Sequence, residues 1–154
     1  MRRLLAIILF AATFFGGIAM AKDPVVGTWT LDVAKSKFSP GPAPKSATRA
    51  YAESADGITL DGKTVGADGK EASMHVAYKA DGKSYPVSGN PDADTVTPKS
   101  VNATTWDFTL TKDGKVVGTV HRVVSADGKT LTVNNKGTHT DGKAYDDTLV
   151  FVKQ

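Results

Sequence analysis

Histidine is the side chain best suited to acid/base chemistry or metal binding near neutral pH, and this chain has three. They are His75, His121 and His139, and no two lie at the short spacing that metal-binding motifs require. Each falls in an alternating strand pattern or in a turn, so we expect all three to lie in water and to bind no metal. Cysteine is absent, which excludes thiol catalysis, disulfides and a lipidated N-terminal cysteine.

Carboxylates are the second candidates for chemistry. Asp146 and Asp147 are adjacent, but neighbours on a strand point to opposite faces, so we expect no acid/base cooperation between them. Asp-Gly-Lys triplets begin at Asp61, Asp68, Asp81, Asp113, Asp127 and Asp141. Each supplies one carboxylate, whereas a calcium loop needs several oxygens from one segment, so turn formation is the better explanation.

The sequence contains no motif of a common enzyme class. There is no Gly-x-Ser-x-Gly elbow, phosphate-binding loop or dinucleotide fingerprint. We therefore expect a protein that is not an enzyme and uses no cofactor.

Aromatic, aliphatic and basic residues that share faces of the predicted strands form the best candidate site. We predict ligand-binding side chains at Arg49, Tyr51, Met74, Val76, Tyr78, Trp106, Phe108 and Arg122. If the strands enclose a space, these residues would line a mostly apolar cavity with a few polar anchors, as in most ligand pockets. The alternative is that the same side chains fill the interior.

A series of β-hairpins must position these side chains, and residues 104–136 show the clearest pattern. Three runs of β-branched and aromatic residues are separated by two Asp-Gly-Lys triplets, and Asp-Gly between alternating apolar segments is a strong hairpin signal. We expect these triplets to form turns, although the one at Asp61 falls inside a strand predicted at 58–65. Further strands are predicted at 25–31, 47–54, 58–65, 71–79, 85–87, 95–101 and 145–152.

Two proline-containing segments interrupt the pattern. Pro98 lies inside a predicted strand and indicates an edge position or a bulge. Residues 32–38 can form one helical turn, and the three prolines within 39–44 break regular structure. We favour a plain linker here over a lid across a portal.

About ten short strands on roughly 130 residues can form a closed up-and-down barrel or a two-sheet sandwich. Short turns join nearly every consecutive pair, which favours pairing between neighbours over the long crossovers of a Greek key. We predict an all-β fold, an antiparallel up-and-down β-barrel.

The N-terminus has the pattern of a signal peptide. Two arginines precede an apolar run at 4–18, and a small-x-small triplet at 19–21 matches a cleavage site. We expect residues 1–21 to be removed and residues 22–154 to form one barrel domain that is periplasmic or secreted. An uncleaved membrane anchor is the alternative.

Charge gives no indication of a nucleic-acid partner. Signal removal would take away two of the 19 basic residues and none of the 16 acidic ones, which leaves a nearly neutral chain. The lysines are scattered through turns and form no single stripe, so we expect no binding to nucleic acid.

Gly27, Thr28 and Trp29 open the first predicted strand, followed by Leu31 and by Phe38 after a short polar stretch. This opening resembles the Gly-x-Trp motif of the calycins, the lipocalins and fatty-acid-binding proteins. Chain length, strand number and the irregular insert after the first strand extend the resemblance, also to small exported bacterial lipocalin-like proteins. The chain departs from lipocalins in lacking a disulfide and from fatty-acid-binding proteins in lacking a clear helix-turn-helix lid.

The resemblance implies structural roles for two residues. Gly27 and Trp29 would cap the closed end of the barrel, with Trp29 beneath a basic side chain from a late strand. Arg122 and Lys153 are the candidates for that partner. A stacked cation would contribute about 0.5 to 2 kcal/mol.

From the resemblance and the aromatic inner faces, we expect a monomer that binds a small hydrophobic or amphiphilic ligand inside the barrel, without a metal. Two alternatives remain open. One is an envelope structural or protein-interaction module with a filled barrel. The other is an isomerase, cyclase or hydrolase on the same barrel, which would place a histidine or carboxylate inside the cavity.

Overall fold

Ten antiparallel strands close into a barrel in the computed structural model, which describes residues 22–154. The strands are β1 (Gly27–Leu31), β2 (Ser46–Ser54), β3 (Gly57–Val65), β4 (Glu71–Tyr78), β5 (Tyr85–Ser88), β6 (Thr95–Asn102), β7 (Thr105–Lys112), β8 (Lys115–Val124), β9 (Thr130–Thr138) and β10 (Ala144–Lys153). The predicted signal peptide lies outside the described residues. Within 22–154, no helix is long and apolar enough to cross a membrane.

Each strand pairs with the next along the chain, and β1 closes the ring by pairing with β10. In that closing pair Trp29 lies opposite Lys153 and Leu31 opposite Phe151. The prediction of an up-and-down antiparallel barrel is therefore confirmed, and the short turns that favoured neighbour pairing explain it.

Four of the Asp-Gly-Lys triplets form the same turn, for a local reason. The aspartate Oδ1 accepts a hydrogen bond from the backbone N–H of the lysine two residues later, at 3.0 or 3.1 Å. The triplet between β7 and β8 forms a tighter loop, in which Asp113 and Gly114 both have positive φ, 48° and 74°. Two positive φ values are what a two-residue type I′ hairpin requires.

The first triplet forms no turn despite its Asp-Gly signal, and the prediction of a strand at 58–65 is confirmed. Residues 61–63 lie within β3, where Gly62 is paired with Arg49 on β2 and with Met74 on β4. The hydrogen-bond ladders on both sides of β3 outweigh the local turn preference of Asp-Gly. Gly62 is buried, and a Cβ there would lie 3.6 Å from the Met74 methyl group.

The segment after β1 does not run as a free linker. After one 3₁₀ turn (Val33–Lys35), Lys37 and Thr148 exchange backbone hydrogen bonds of 2.7 and 2.8 Å, and Asp146 N donates to Ser39 O at 2.7 Å. The segment thus continues the edge of the short strand β1 along β10.

Strand β5 has only four residues and leaves part of β6 without a partner on that side. It pairs with β6 only at Thr95 and Val96, so Pro98 lies beyond its end. The missing N–H of Pro98 therefore breaks no bond toward β5. This is the edge position that the proline indicated, and the register shift between Ser100 and Asn102 adds a bulge.

Trp29 lies at one end of the barrel, which we call the closed end. Its side chain is fully buried, and Nε1 donates to the Val25 carbonyl at 2.7 Å. The Lys153 ammonium lies 5.0 Å from the ring centroid, so Lys153, and not Arg122, is the basic partner. Gly27 has φ 134°, and a Cβ there would lie 2.9 Å from Lys153 Cε.

We expect Gly27→Ala to destabilise the fold by about 2 to 4 kcal/mol, because it combines a conformation that L-residues avoid with displacement of Lys153 from the tryptophan. Gly142→Ala is the matched control, since Gly142 also has positive φ but a Cβ there would contact nothing within 4 Å. It should cost about 1 to 2 kcal/mol. Urea unfolding measures both, and equal losses would contradict this account of the cap.

Candidate ligand-binding site

Arg122 is the most unusual side chain inside the barrel. It lies on the inner face of β8, two residues before that strand ends at the closed end of the barrel. The residue is 2 % exposed. Nη1 donates to the Tyr78 hydroxyl at 2.6 Å, while Nε has no hydrogen-bond partner among residues 22–154. None of the carboxylates in residues 22–154 forms an ion pair with it.

Three aromatic rings surround the guanidinium. Its central carbon lies 5.3 Å from the ring centroids of Trp106 and Phe108 and 5.4 Å from that of Tyr51. Trp106 is directly opposite Arg122 across the β7–β8 pair, and Phe108 follows two residues later on the same face. The rings attract the cation by their quadrupoles, so they hold it without neutralising its charge.

Tyr78 links this cluster to the opposite wall. Its ring meets those of Trp106 and Phe108 edge to face, at centroid distances of 5.8 and 5.4 Å. Burial raises the pKa of its hydroxyl strongly, and the Arg122 guanidinium offsets only part of that rise. Tyr78 is therefore a neutral phenol. Because its oxygen accepts from Arg122, its proton remains available for a second hydrogen bond.

A cavity of about 240 Å³ lies above this cluster. Seven of the eight predicted site residues line it: Arg49, Tyr51, Met74, Val76, Tyr78, Phe108 and Arg122. Trp106 does not line it, because it packs beneath Phe108 and Arg122 as part of the floor. The alternation of inward and outward residues thus placed these side chains together, and the interior is not completely filled.

Arg49 provides a second cation halfway along the wall. Its guanidinium lies 4.8 Å from the centroid of Phe151, and Nη1 donates to the Tyr51 hydroxyl at 3.4 Å. Arg49 lines both this cavity and a wider recess of about 640 Å³. The recess lies at the opposite end of the barrel, which we call the mouth. From the segment after β1 it is lined by Phe38, Pro40, Gly41, Pro42 and Pro44.

The cavity and the recess adjoin along shared walls. Both are lined by Arg49, Met74, Asn90, Asn135, His139 and Asp147. A molecule anchored near Arg122 can therefore extend from the cavity toward the mouth without leaving the barrel.

His139 and Asp92 form a polar pair at the mouth that the sequence analysis missed. His139 Nδ1 lies 2.7 Å from Asp92 Oδ2, and Thr140 N donates to Asp92 Oδ1 at 2.8 Å. The pair joins the β5–β6 loop to the β9–β10 turn, and the Tyr145 ring lies 4.6 Å from the imidazole. His139 is partly exposed in a turn, as expected, but it also lines the cavity.

The other two histidines lie on the outer face of the barrel. Each contacts an aspartate directly across a strand pair, His75 with Asp61 at 2.7 Å and His121 with Asp107 at 2.6 Å. Both side chains are about half exposed. They therefore have no part in the interior site.

Asp146 and Asp147 point to opposite faces, as the strand geometry predicted. Asp146 approaches Lys136 Nζ at 3.4 Å on the outside. Asp147 lines the cavity and accepts a hydrogen bond from Ser39 N at 2.8 Å. Phe151 points into the barrel, and Asp147 lies four residues before it on the same face of β10. That alternation could have identified Asp147 as an interior residue.

No protein-family model matches the chain, and no curated protein matches it in sequence. The site is therefore interpreted from its own geometry.

We expect Arg122→Met to lower the free energy of unfolding by no more than about 1 kcal/mol, or to raise it. Burying a charge without a carboxylate costs several kcal/mol, which offsets the cation-π contacts and the bond to Tyr78. Urea unfolding tests this, with Leu131→Ala, in the fully buried core, as the scale for a structural loss of about 2 to 5 kcal/mol. If Arg122→Met lowered the free energy of unfolding as much as Leu131→Ala does, the arginine would be a structural residue.

Proposed function

We propose that this protein is an exported lipocalin-like carrier that holds a small amphiphilic ligand in the barrel, with the anionic group of the ligand against Arg122. The closed ten-strand barrel has the general shape of a lipocalin-like barrel. The observation that carries the proposal is the buried guanidinium of Arg122. Its Nε has no hydrogen-bond partner, and no carboxylate of the described chain forms an ion pair with it.

A carboxylate is the ligand group that best complements this site. Its two oxygens can accept from the Arg122 guanidinium and from the Tyr78 hydroxyl, and a guanidinium fork matches carboxylate geometry. Binding of a carboxylate would neutralise the buried charge of Arg122, whereas the aromatic rings do not. Arg49, halfway along the wall, adds a second positive charge, while Asp92 and Asp147 add negative charge nearer the mouth.

The rest of the cavity suits a hydrocarbon chain. Leu60, Val96, Leu110 and Val120 line its walls together with the aromatic rings. At about 30 Å³ per water-sized group, 240 Å³ holds roughly eight such groups, and the recess can accept the remainder. Burying about 300 Å² of apolar ligand surface would gain on the order of 7 kcal/mol before the cost of immobilisation, which suits micromolar binding.

The cavity beside Arg122 favours binding over hydrolysis by a side-chain nucleophile, whereas the recess at the mouth is lined by Thr48, Thr64, Ser73 and Lys143. The His139–Asp92 pair has the form of a general-base dyad. Among the residues that line the cavity, however, there is no serine, threonine, cysteine or lysine for the pair to activate.

We expect the protein to bind decanoate at least about 10-fold more tightly than decanol, because only the acid neutralises Arg122. Arg122→Met should weaken decanoate binding by about 10- to 100-fold, the range expected for losing a hydrogen bond to a charged group. Decanol binding should change by less than about threefold. Isothermal titration calorimetry measures all four affinities.

Lys153→Met is the control, since it removes a cation at the closed end that does not line the cavity. It should leave the preference for the acid intact. Equal affinity of the wild-type protein for acid and alcohol, or unchanged decanoate binding by Arg122→Met, would refute the proposed role of Arg122. Failure of the wild-type protein to bind either molecule would refute the carrier function.

A further inference from the structure

The carboxylate of Asp147 is only half satisfied by the protein. Its Oδ1 accepts a hydrogen bond from Ser39 N at 2.8 Å, whereas no group in the described chain donates to its Oδ2. Asp92, the other carboxylate that lines the cavity, has contacts at both oxygens: Oδ1 accepts from Thr140 N, and Oδ2 lies 2.7 Å from His139 Nδ1. Asp147 Oδ2 is thus the oxygen that remains for another donor.

The unpaired oxygen of Asp147 is open to solvent. The side-chain atoms of the described chain that are both buried and without a hydrogen-bond partner are Arg122 Nε and Asn135 Oδ1. Asp147 Oδ2 also has no partner but differs from these two, because it keeps accessible surface. Asp147 is partly buried and lines both the cavity and the recess at the mouth. A ligand that occupies these spaces can therefore reach Oδ2.

The cations of the described chain leave Asp147 unneutralised, since it takes part in none of the ion pairs among residues 22–154. Arg49 lines the same two spaces, but its guanidinium lies against the Phe151 ring and donates to the Tyr51 hydroxyl. Asp147 therefore presents a negative charge to the ligand space.

The strand register places Asp147 and Arg122 at different heights in the barrel. Arg122 on β8 is opposite Val133 on β9, which is in turn opposite Leu149 on β10. Asp147 lies two residues from Leu149 toward the mouth. Two strand spacings of about 4.8 Å and two residue steps of about 3.4 Å separate the two backbone positions by roughly 12 Å. The floor of the site is therefore positive, and its wall nearer the mouth is negative.

The chemistry of Asp147 Oδ2 specifies the ligand group that suits it. An ionised carboxylate only accepts hydrogen bonds, so the ligand group must be a donor. A protonated amine donates and also neutralises the charge, whereas a hydroxyl donates without doing so. A second carboxylate at this position would be repelled by the first. Asp147 therefore favours a cationic group.

We propose that Asp147 binds the cationic end of the ligand, so that the ligand is a zwitterion with its carboxylate at Arg122 and a protonated amine toward the mouth. An apolar chain joins the two charged groups and lies along the cavity wall. This rests on the proposed carrier function and specifies its ligand class. A simple fatty acid would neutralise Arg122 and leave the charge of Asp147 to water.

The test compares acids that differ only at the end remote from the carboxylate. They are the ω-amino acids, ω-hydroxy acids and dicarboxylates of six, eight and ten carbons, titrated by calorimetry. At the best-fitting length, we expect the amino acid to bind about 3- to 5-fold more tightly than the hydroxy acid, the range for a partly exposed ion pair. The dicarboxylate should bind most weakly.

Asp147→Asn removes the charge but keeps an oxygen that can accept from Ser39 N. In this variant the amino and hydroxy acids should bind within about twofold of each other. Asp146→Asn is the matched control, because it removes a charge from the adjacent residue on the outer face, where Asp146 lies 3.4 Å from Lys136 Nζ. It should preserve the advantage of the amino acid.

A second measurement uses the wild-type protein and needs no variant. NMR of the side-chain carboxyl carbons should show a shift of the Asp147 resonance on addition of the amino acid. The Asp146 resonance should stay in place, and the hydroxy acid should move the Asp147 resonance less.

The outcomes separate this inference from the carrier function. The inference is wrong if the amino acid has no advantage at any of the three lengths, if its advantage survives in Asp147→Asn, or if the Asp147 resonance stays unmoved. The carrier function then still stands, provided that the wild-type protein binds decanoate. If neither decanoate nor any of these acids binds, both are wrong.

Discussion

A positive charge buried without a negative partner is the constraint on which this interior depends. Arg122 is almost completely enclosed, touches three aromatic rings and donates to a neutral tyrosine, yet no carboxylate of the described chain pairs with it. Burying an ionised group in this way is costly, whereas a purely apolar core would be cheaper and more stable. Such a residue is typical of a site that sacrifices stability for binding.

The barrel wall makes this arrangement possible. Local Asx turns at four triplets set four of the hairpins, and neighbour pairing brings the first and last strands together. Trp29 and Lys153 fill the closed end, so Arg122 can lie above a packed floor and not in water. At the other end the segment after β1 pairs with β10 and borders the recess. One end is thus packed, and the other retains space for a ligand.

Much of the wall and part of the site could be predicted from the sequence, because both follow from alternation. Tyr51, Met74, Val76, Tyr78 and Phe108 lie inside as their strand patterns indicated. The same rule extends from Leu131 and Val133 to Asn135, but a polar residue at an inward position was not recognised as part of the site.

The remaining features depend on contacts that no local pattern encodes. Asp92 belongs to an irregular loop, and its contact with His139 spans 47 residues. The Asp61 triplet carries a turn signal that two neighbouring strands override. The choice of Lys153 over Arg122 as the partner of Trp29 follows from the closing register between β1 and β10, which only the assembled ring determines.

The most direct test of the central claim is an NMR titration that follows the Arg122 Nε–H resonance during addition of decanoate. We expect a marked shift of that resonance on binding, because the carboxylate then neutralises the charge of the Arg122 guanidinium. A ligand that binds while the Nε–H resonance stays unchanged would contradict it.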